Sequence, residues 1–261
     1  MFSICYNPRY CTIYLLSLYI NSFYEIGHTI IIIVFNKERL IILKELFQKY
    51  KHAWVLSYFL VYLAWFFLLE QKVVTNYTSI YIKLDDYIPF NEWFVIPYIL
   101  WFAYIFFTVA FLFINSKDEY YKCCAFLFIG MTICLIIYTI WPNGQDLRVD
   151  LSSLGRDNVL IRMVNWFYTT DTSTNVLPSI HVFNSIGAHI AIRRNETLRQ
   201  YKWIVPASFI LMVLICLSTV FLKQHSALDG FAAIALSIIM YVIVYGRDHI
   251  KAKKNSLVPN N

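Results

Sequence analysis

Residues 203–245 read WIVPASFILMVLICLSTVFLKQHSALDGFAAIALSIIMYVIVY: two apolar runs broken by one short polar joint. Trp203 to Leu222 and Leu228 to Tyr245 are each of the length that crosses a bilayer core as helix, about 17–25 residues. Five residues separate them, so the chain turns back at one face of a membrane. The joint carries His225 and, four residues on, Asp229. Ionisable groups at that depth are costly unless they are paired and used, which makes them candidates for function.

The same reading extends outward along the chain. Of the 261 residues, 59% are apolar and only 15% charged, which excludes an ordinary soluble domain. Further runs of spanning length cover Ala53 to Leu69, Phe94 to Ile114 and Cys123 to Trp141. A sixth segment, Leu177 to Ile192, is short and carries Ser179, His181, Asn184, Ser185 and His189. Such a segment suits a helix surrounded by other helices better than one facing lipid. The expected fold is therefore an all-α, polytopic transmembrane helical bundle with six core spans and this segment at its centre.

Cys11 to Phe35 is interrupted by Asn21, Ser22, Glu25 and His28, and reads either as a seventh span or as an interfacial segment. A secretory signal fits poorly, because one basic residue, Arg9, precedes a broken apolar stretch with no small-residue cleavage site. The expected organisation is an N-terminal extension over 1–49, a membrane domain over 50–246 and a basic tail over 247–261.

Lys and Arg placement sets the expected orientation. With Ala53 to Leu69 running inside to outside, the basic residues of 37–51, 117–122, 193–202 and 247–254 all fall inside, 15 of the 22 in the chain. The positive-inside rule then puts the loop Pro142 to Val176, and the junctions at His181 and His225, on the outer face of a cell membrane. The net charge of +6 follows from this asymmetry and from attraction to anionic lipid. No concentrated basic domain points to nucleic acid. The six cysteines form no C-x-x-C pair, and those within spans read as buried structural thiols.

Three pieces meet at the outer face. Pro142 and Asn143-Gly144 stop the third span and turn the chain, leaving Arg148 free to face a ligand. The central helix opens at Pro178-Ser179-Ile180-His181, where Pro178 suits a first-turn position and the early backbone N–H groups lack intrahelical partners. A helix start of this kind binds anions. On a helix, the His225 to Asp229 spacing puts both side chains on one face, so that the carboxylate holds the imidazole in one tautomer.

The ordered set Arg148, Pro178-Ser179-x-His181 and Ser218-x6-His225-x3-Asp229 resembles the type 2 phosphatidic acid phosphatase superfamily, lipid phosphatases and phosphotransferases that share a helical core with the vanadium haloperoxidases. The resemblance runs from Ala53 to about Tyr245. It implies that His225 is a nucleophile forming a phosphohistidine, that Asp229 orients it, and that His181 is the general acid and then the base. It also implies that Arg148 and Ser179, with the adjacent N–H groups, hold the phosphate oxygens, with no metal or cofactor. Trp141, Val149, Ile180 and Thr219 stand where the family pattern has Lys, Pro, Gly and Arg. Lys223, two residues before His225, is the expected substitute cation for the phosphate. Similar departures occur in the branch nearer the inositol phosphorylceramide and sphingomyelin synthases, where the acceptor is an alcohol.

Other readings remain open at this stage. His225 and Asp229 alone could be a structural pair at a helix start. His189 lies two turns deeper than His181 and reads as a core hydrogen-bonding group. Asp146, Asp150, Asp157 and Asp171 match no EF-hand loop and read as rim residues, and Gln224 and Asn175 as groups satisfying backbone. A zinc hydrolase using His181, His225 and Asp229 lacks an H-E-x-x-H motif, and a lipid-binding protein without chemistry is the non-enzymatic rival. The reading carried forward is an integral membrane lipid phosphatase acting on a lipid phosphate or diphosphate at the outer face, with lipid phosphotransfer to an alcohol as the alternative. Which lipid it uses, and the oligomeric state, lie beyond the sequence.

Overall fold

The computed structural model describes residue 25, residues 37–71 and residues 76–256. The protein is an all-α, multi-pass membrane bundle: among the described residues five helices are long and apolar enough to cross a bilayer, Leu43–Gln71, Glu92–Asn115, Lys117–Ile140, Ile204–Phe221 and Ala227–Gly246. The possible span in Cys11 to Phe35 lies outside the described residues. The chain divides into two compact units, Met1–Trp54 and Val55–Asn261. In the first, the described helix is α1 (Lys37–Tyr50).

In the second unit the helices are α2 (Tyr58–Gln71), α3 (Leu84–Tyr87), α4 (Val95–Asn115), α5 (Lys117–Ile140), α6 (Val159–Thr170), α7 (Ile180–Arg194), α8 (Glu196–Arg199), α9 (Ile204–Phe221) and α10 (Ala227–Ser256). Two-residue strands β1 (Thr78–Ser79) and β2 (Asn143–Gly144) pair in parallel. Capping follows the sequence. Asn158 accepts the Ile161 N–H at the start of α6, Asn195 accepts the Leu198 N–H at the start of α8, and Arg193 and Arg194 sit in the last turn of α7, where cations suit the helix dipole.

The sixth segment is α7, and its 15 residues pack against α4, α5, α9 and α10. Its polar Asn184 and Ser185 are buried, while Phe102, Phe106, Phe107, Ile210, Ile238 and Val242 on the surrounding spans face outward, toward lipid. Two glycines permit the close approach of α5 and α7. At Gly130 an added Cβ would lie 2.0 Å from the Phe183 ring, and at Gly187 it would lie 2.7 Å from Phe126. Those two rings stack on each other at 5.0 Å.

Phe183 is fully enclosed and cannot swing away. Gly130→Ala is therefore expected to overpack the core by roughly 1–3 kcal/mol and to lower the thermal midpoint of the detergent-purified protein. Gly246→Ala, whose new Cβ meets nothing closer than 3.8 Å inside a helix, is the control and should not lower it, the gain in helix propensity of about 0.5–1 kcal/mol raising it slightly if anything.

Candidate functional site

The turn between α9 and α10 is wound tightly onto the end of α9. The Gln224 and His225 N–H groups both donate to Thr219 O at 3.0 Å, and Lys223 adopts a left-handed backbone (φ 54°). Gln145, fully buried, clamps the turn from the α5 side, its Nε2 donating to Lys223 O at 3.0 Å and Gln224 O at 3.3 Å. α10 begins at Ala227, so His225 precedes the helix instead of sitting on it as the spacing suggested. The pair forms nonetheless, through a capping box: Asp229, in the first turn, accepts the Ser226 N–H at 3.0 Å and the His225 Nδ1–H at 3.1 Å with the same oxygen, Oδ2. Asp229 is wholly enclosed and His225 is 8% exposed. With Nδ1 committed to the carboxylate, Nε2 carries the free lone pair.

His181 enters from the first turn of α7. Its ring stacks on Tyr98 (centroids 4.8 Å) and packs on Trp101 (4.5 Å), both from α4. Its centroid is 5.8 Å from that of His225, the planes inclined at 64°, close enough for one tetrahedral group to touch both. Pro178 lies before the helix, not in its first turn: Ser179 is the N-cap, its hydroxyl accepting the Val182 N–H at 3.4 Å. The Ser179 N–H is taken by Asp229 O at 3.2 Å, which ties the start of α7 to the start of α10. The N–H groups of Ile180 and His181 precede any carbonyl of their own helix.

Arg148 stands beside this turn in a cage. Nη1 donates to Tyr168 O (2.8 Å) and Asp171 O (3.0 Å), and Nη2 to Thr172 O (2.8 Å) and Gln224 Oε1 (2.9 Å), while the guanidinium lies 4.8 Å from the Tyr168 ring centroid. Burial pulls its pKa down from the usual arginine range, against a smaller upward pull from Tyr168 and Asp171. One of its N–H groups, Nε, is enclosed without a partner, as are Gln224 Nε2 and Asp229 Oδ1. The Lys223 ammonium goes elsewhere. It donates to Asp85 O at 2.8 Å, and burial lowers its pKa, against a smaller raising effect of Asp85 and Asp86.

The structure thus brings His181, His225, Asp229, Ser179 and Arg148 to one end of the bundle, with Lys223 turned toward the 76–94 loop. His189 meets Ser208 Oγ at 3.0 Å, in the core. The carboxylates of the 142–176 loop are dispersed: Asp146 accepts from Tyr77 and Ser79, Asp150 caps the turn at Ser152, and Asp157 pairs with Arg162 at 2.9 Å. Asp171 is the exception, half-buried near Arg148 and His225; burial raises its pKa, and Glu70 adds to the rise while Arg148 and His225 oppose it. The side chains of Asn175 and Gln224 meet side chains instead of the backbone groups the sequence suggested: Asn175 donates to Glu70, and Gln224 braces Arg148. Among the described residues no three His, Cys, Asp or Glu side chains are grouped to hold a metal, and Cys123, Cys124, Cys134 and Cys216 are free. A cavity of about 560 Å³ lies along the 142–176 loop, lined by Leu151, Arg156, Asp157, Arg162 and Asn165 among others, apart from the two imidazoles.

Sequence reading missed Tyr98 and Trp101, which frame His181, and Gln145 and Glu70, which brace the loops. It also missed Asp85. Nothing in the sequence around these residues, the Asp85-Asp86 pair included, marks the turn they hold. No family model, curated protein or solved structure matches the chain.

Proposed function

We propose that the protein is a membrane lipid phosphatase that hydrolyses a lipid phosphate or diphosphate through His225, at the extracytoplasmic face of the cell membrane. The observation that carries this reading is the acid-backed imidazole of His225, 3.1 Å from Asp229, set 5.8 Å from a second imidazole beside an arginine. His225 Nε2 attacks phosphorus, an N–P bond forms, and the bond to the lipid oxygen breaks as His181 delivers a proton to that oxygen. Water then attacks the phosphohistidine, giving its proton to His181, and His225 leaves with phosphate released. Asp229 stabilises the charge on His225 in both steps, the α7 N-terminus supplies N–H groups for the phosphate oxygens, and Arg148, its Nη donors held by protein acceptors, adds positive charge nearby. Placing the site outside rests on the distribution of lysine and arginine.

The test is release of phosphate from a panel of lipid phosphates by protein in detergent, with radiolabelled substrate to trap the adduct. Label on wild-type His225 and free phosphate as product are the expected results; a binding protein would form neither. A second reading, transfer of a phospho-headgroup to an alcohol, is favoured by one observation: the Lys223 ammonium is bound to Asp85 O, leaving Arg148 as the cation beside His225. A single guanidinium balances the single charge of a phosphodiester better than the double charge of a phosphomonoester. Labelled phospholipid incubated with and without an alcohol acceptor separates the two, because phosphate as the only product rejects transfer.

A further inference from the structure

The loop over residues 76–94 supplies neither imidazole nor the arginine, yet it is bonded to β2, to the end of α9, to Arg156 and Asn158, and to the turn that carries His225. β1 pairs with β2 ahead of Arg148. Asn91 N donates to Phe221 O at the end of α9. Glu92 accepts from Arg156 and Asn158 of the 142–176 loop. At its centre is Asp85, only 2% exposed and within electrostatic reach of the Lys223 ammonium.

Each oxygen of Asp85 is committed. Oδ1 accepts the Ala227 N–H at 2.8 Å; Oδ2 accepts the Ser226 hydroxyl at 2.6 Å and the Ile82 N–H at 2.9 Å. Its own carbonyl accepts the Lys223 ammonium. Residues 223, 226 and 227 flank His225 on both sides. A buried carboxylate here is costly to desolvate, so it is stable only where donors of this kind converge on it, and the first-turn N–H groups of α10 supply them together with the positive end of the helix dipole. The two carboxylates divide that helix start between them. Asp85 takes the Ala227 N–H and Asp229 takes the Ser226 N–H, which leaves Asp229 Oδ2 in one place, against His225 Nδ1.

We propose that Asp85 is the positioning residue of the site: by capping α10 from the 76–94 loop, together with the Lys223 ammonium on its carbonyl, it fixes the turn that presents His225 to Asp229. This rests on the phosphoryl-transfer reading for its catalytic consequence but not for its structural one, so it is tested by two independent readouts.

The first is nitrogen NMR of protein purified in detergent with labelled histidine. Wild-type His225 should show one tautomer, protonated at Nδ1. Asp85→Ala should average the two tautomers, and Ser226→Ala, a milder change that removes one hydrogen bond to Asp85, should do so in part. The second is lipid phosphate release, where Asp85→Ala should lower kcat about 100-fold, the scale of a displaced catalytic group, with Asp85→Asn recovering most of the loss by keeping one acceptor oxygen. KM should stay within about twofold, since the substrate contacts are not removed.

If Asp85→Ala does not fold, Ser226→Ala decides. A His225 spectrum that is already averaged in the wild type, or is unchanged in the variants, overturns the proposal whatever the activity. Loss of the fixed tautomer in a protein whose wild type releases no phosphate from any lipid would leave Asp85 in place and remove the phosphatase reading instead.

Discussion

Replacing His225 with alanine is expected to lower lipid phosphate release by about 10⁴-fold or more, to the uncatalysed background, with no loss of the helical bundle. The size of the effect follows from the role. A nucleophile that forms a covalent intermediate cannot be bypassed by its neighbours, and water has no general base placed to attack the ester directly. The fold should survive because the imidazole makes one side-chain hydrogen bond, to Asp229, whose carboxylate keeps the Ser226 N–H when His225 is gone. Asp229→Asn should approach the same loss, because an amide that turns its nitrogen toward Nδ1 selects the wrong tautomer and places the proton on the attacking nitrogen. Circular dichroism and a thermal midpoint on the same samples separate lost chemistry from lost structure. Activity within tenfold of wild type in His225→Ala would end the proposed mechanism.

Replacing His181 should produce a loss that depends on the leaving group. An alkoxide from a lipid glycerol or prenyl alcohol is a poor leaving group and needs a proton as the P–O bond breaks, so His181→Ala should slow release from a lipid ester by about 10²–10⁴-fold. Nitrophenol leaves as its anion without help. With nitrophenyl phosphate, formation of the phosphohistidine should therefore be much less affected, and coloured product should appear as a burst before slow hydrolysis of the adduct. The packing of His181 between Tyr98 and Trp101 adds a second expectation, that the ring keeps its position when substrate changes. An equal loss on both substrates would mean that His181 shapes the pocket instead of moving a proton.

The bundle was legible in the sequence because burial in lipid leaves a crude and strong signal: long apolar runs, polar joints, and basic residues clustered on alternate joints. The central helix was legible for the opposite reason, since Ser179, Asn184, Ser185 and His189 are tolerable only where other helices surround them. The start of that helix was misjudged by a residue or two, because Pro178 fits a first turn as readily as the position before an N-cap, and the choice is made by Ser179 and by its tie to Asp229 O. The His225 to Asp229 spacing gave the right contact by the wrong route, through a capping box instead of a continuous helix. Lys223 shows the limit most clearly. Its distance along the chain from His225 is short, but a left-handed backbone turns the side chain away, and its partner lies in a loop more than a hundred residues upstream. Asp85 and Gln145 are invisible for the same reason: their function is to hold a turn formed by another part of the chain.

The shortness of α7 has a consequence for how a substrate arrives. At about 1.5 Å per residue its 15 residues measure roughly 22 Å, against a hydrocarbon core of about 30 Å. Were Arg193 and Arg194 to rest among headgroups at one surface, His181 would stop several ångströms short of the other, and the proposed chemistry would then require the reacting phosphorus to be drawn below the plane of its neighbours. A lipid that keeps its tails in the bilayer can do this by sliding in from the side, so the proposed reaction would favour a membrane-anchored ester over a water-soluble one of equal reactivity.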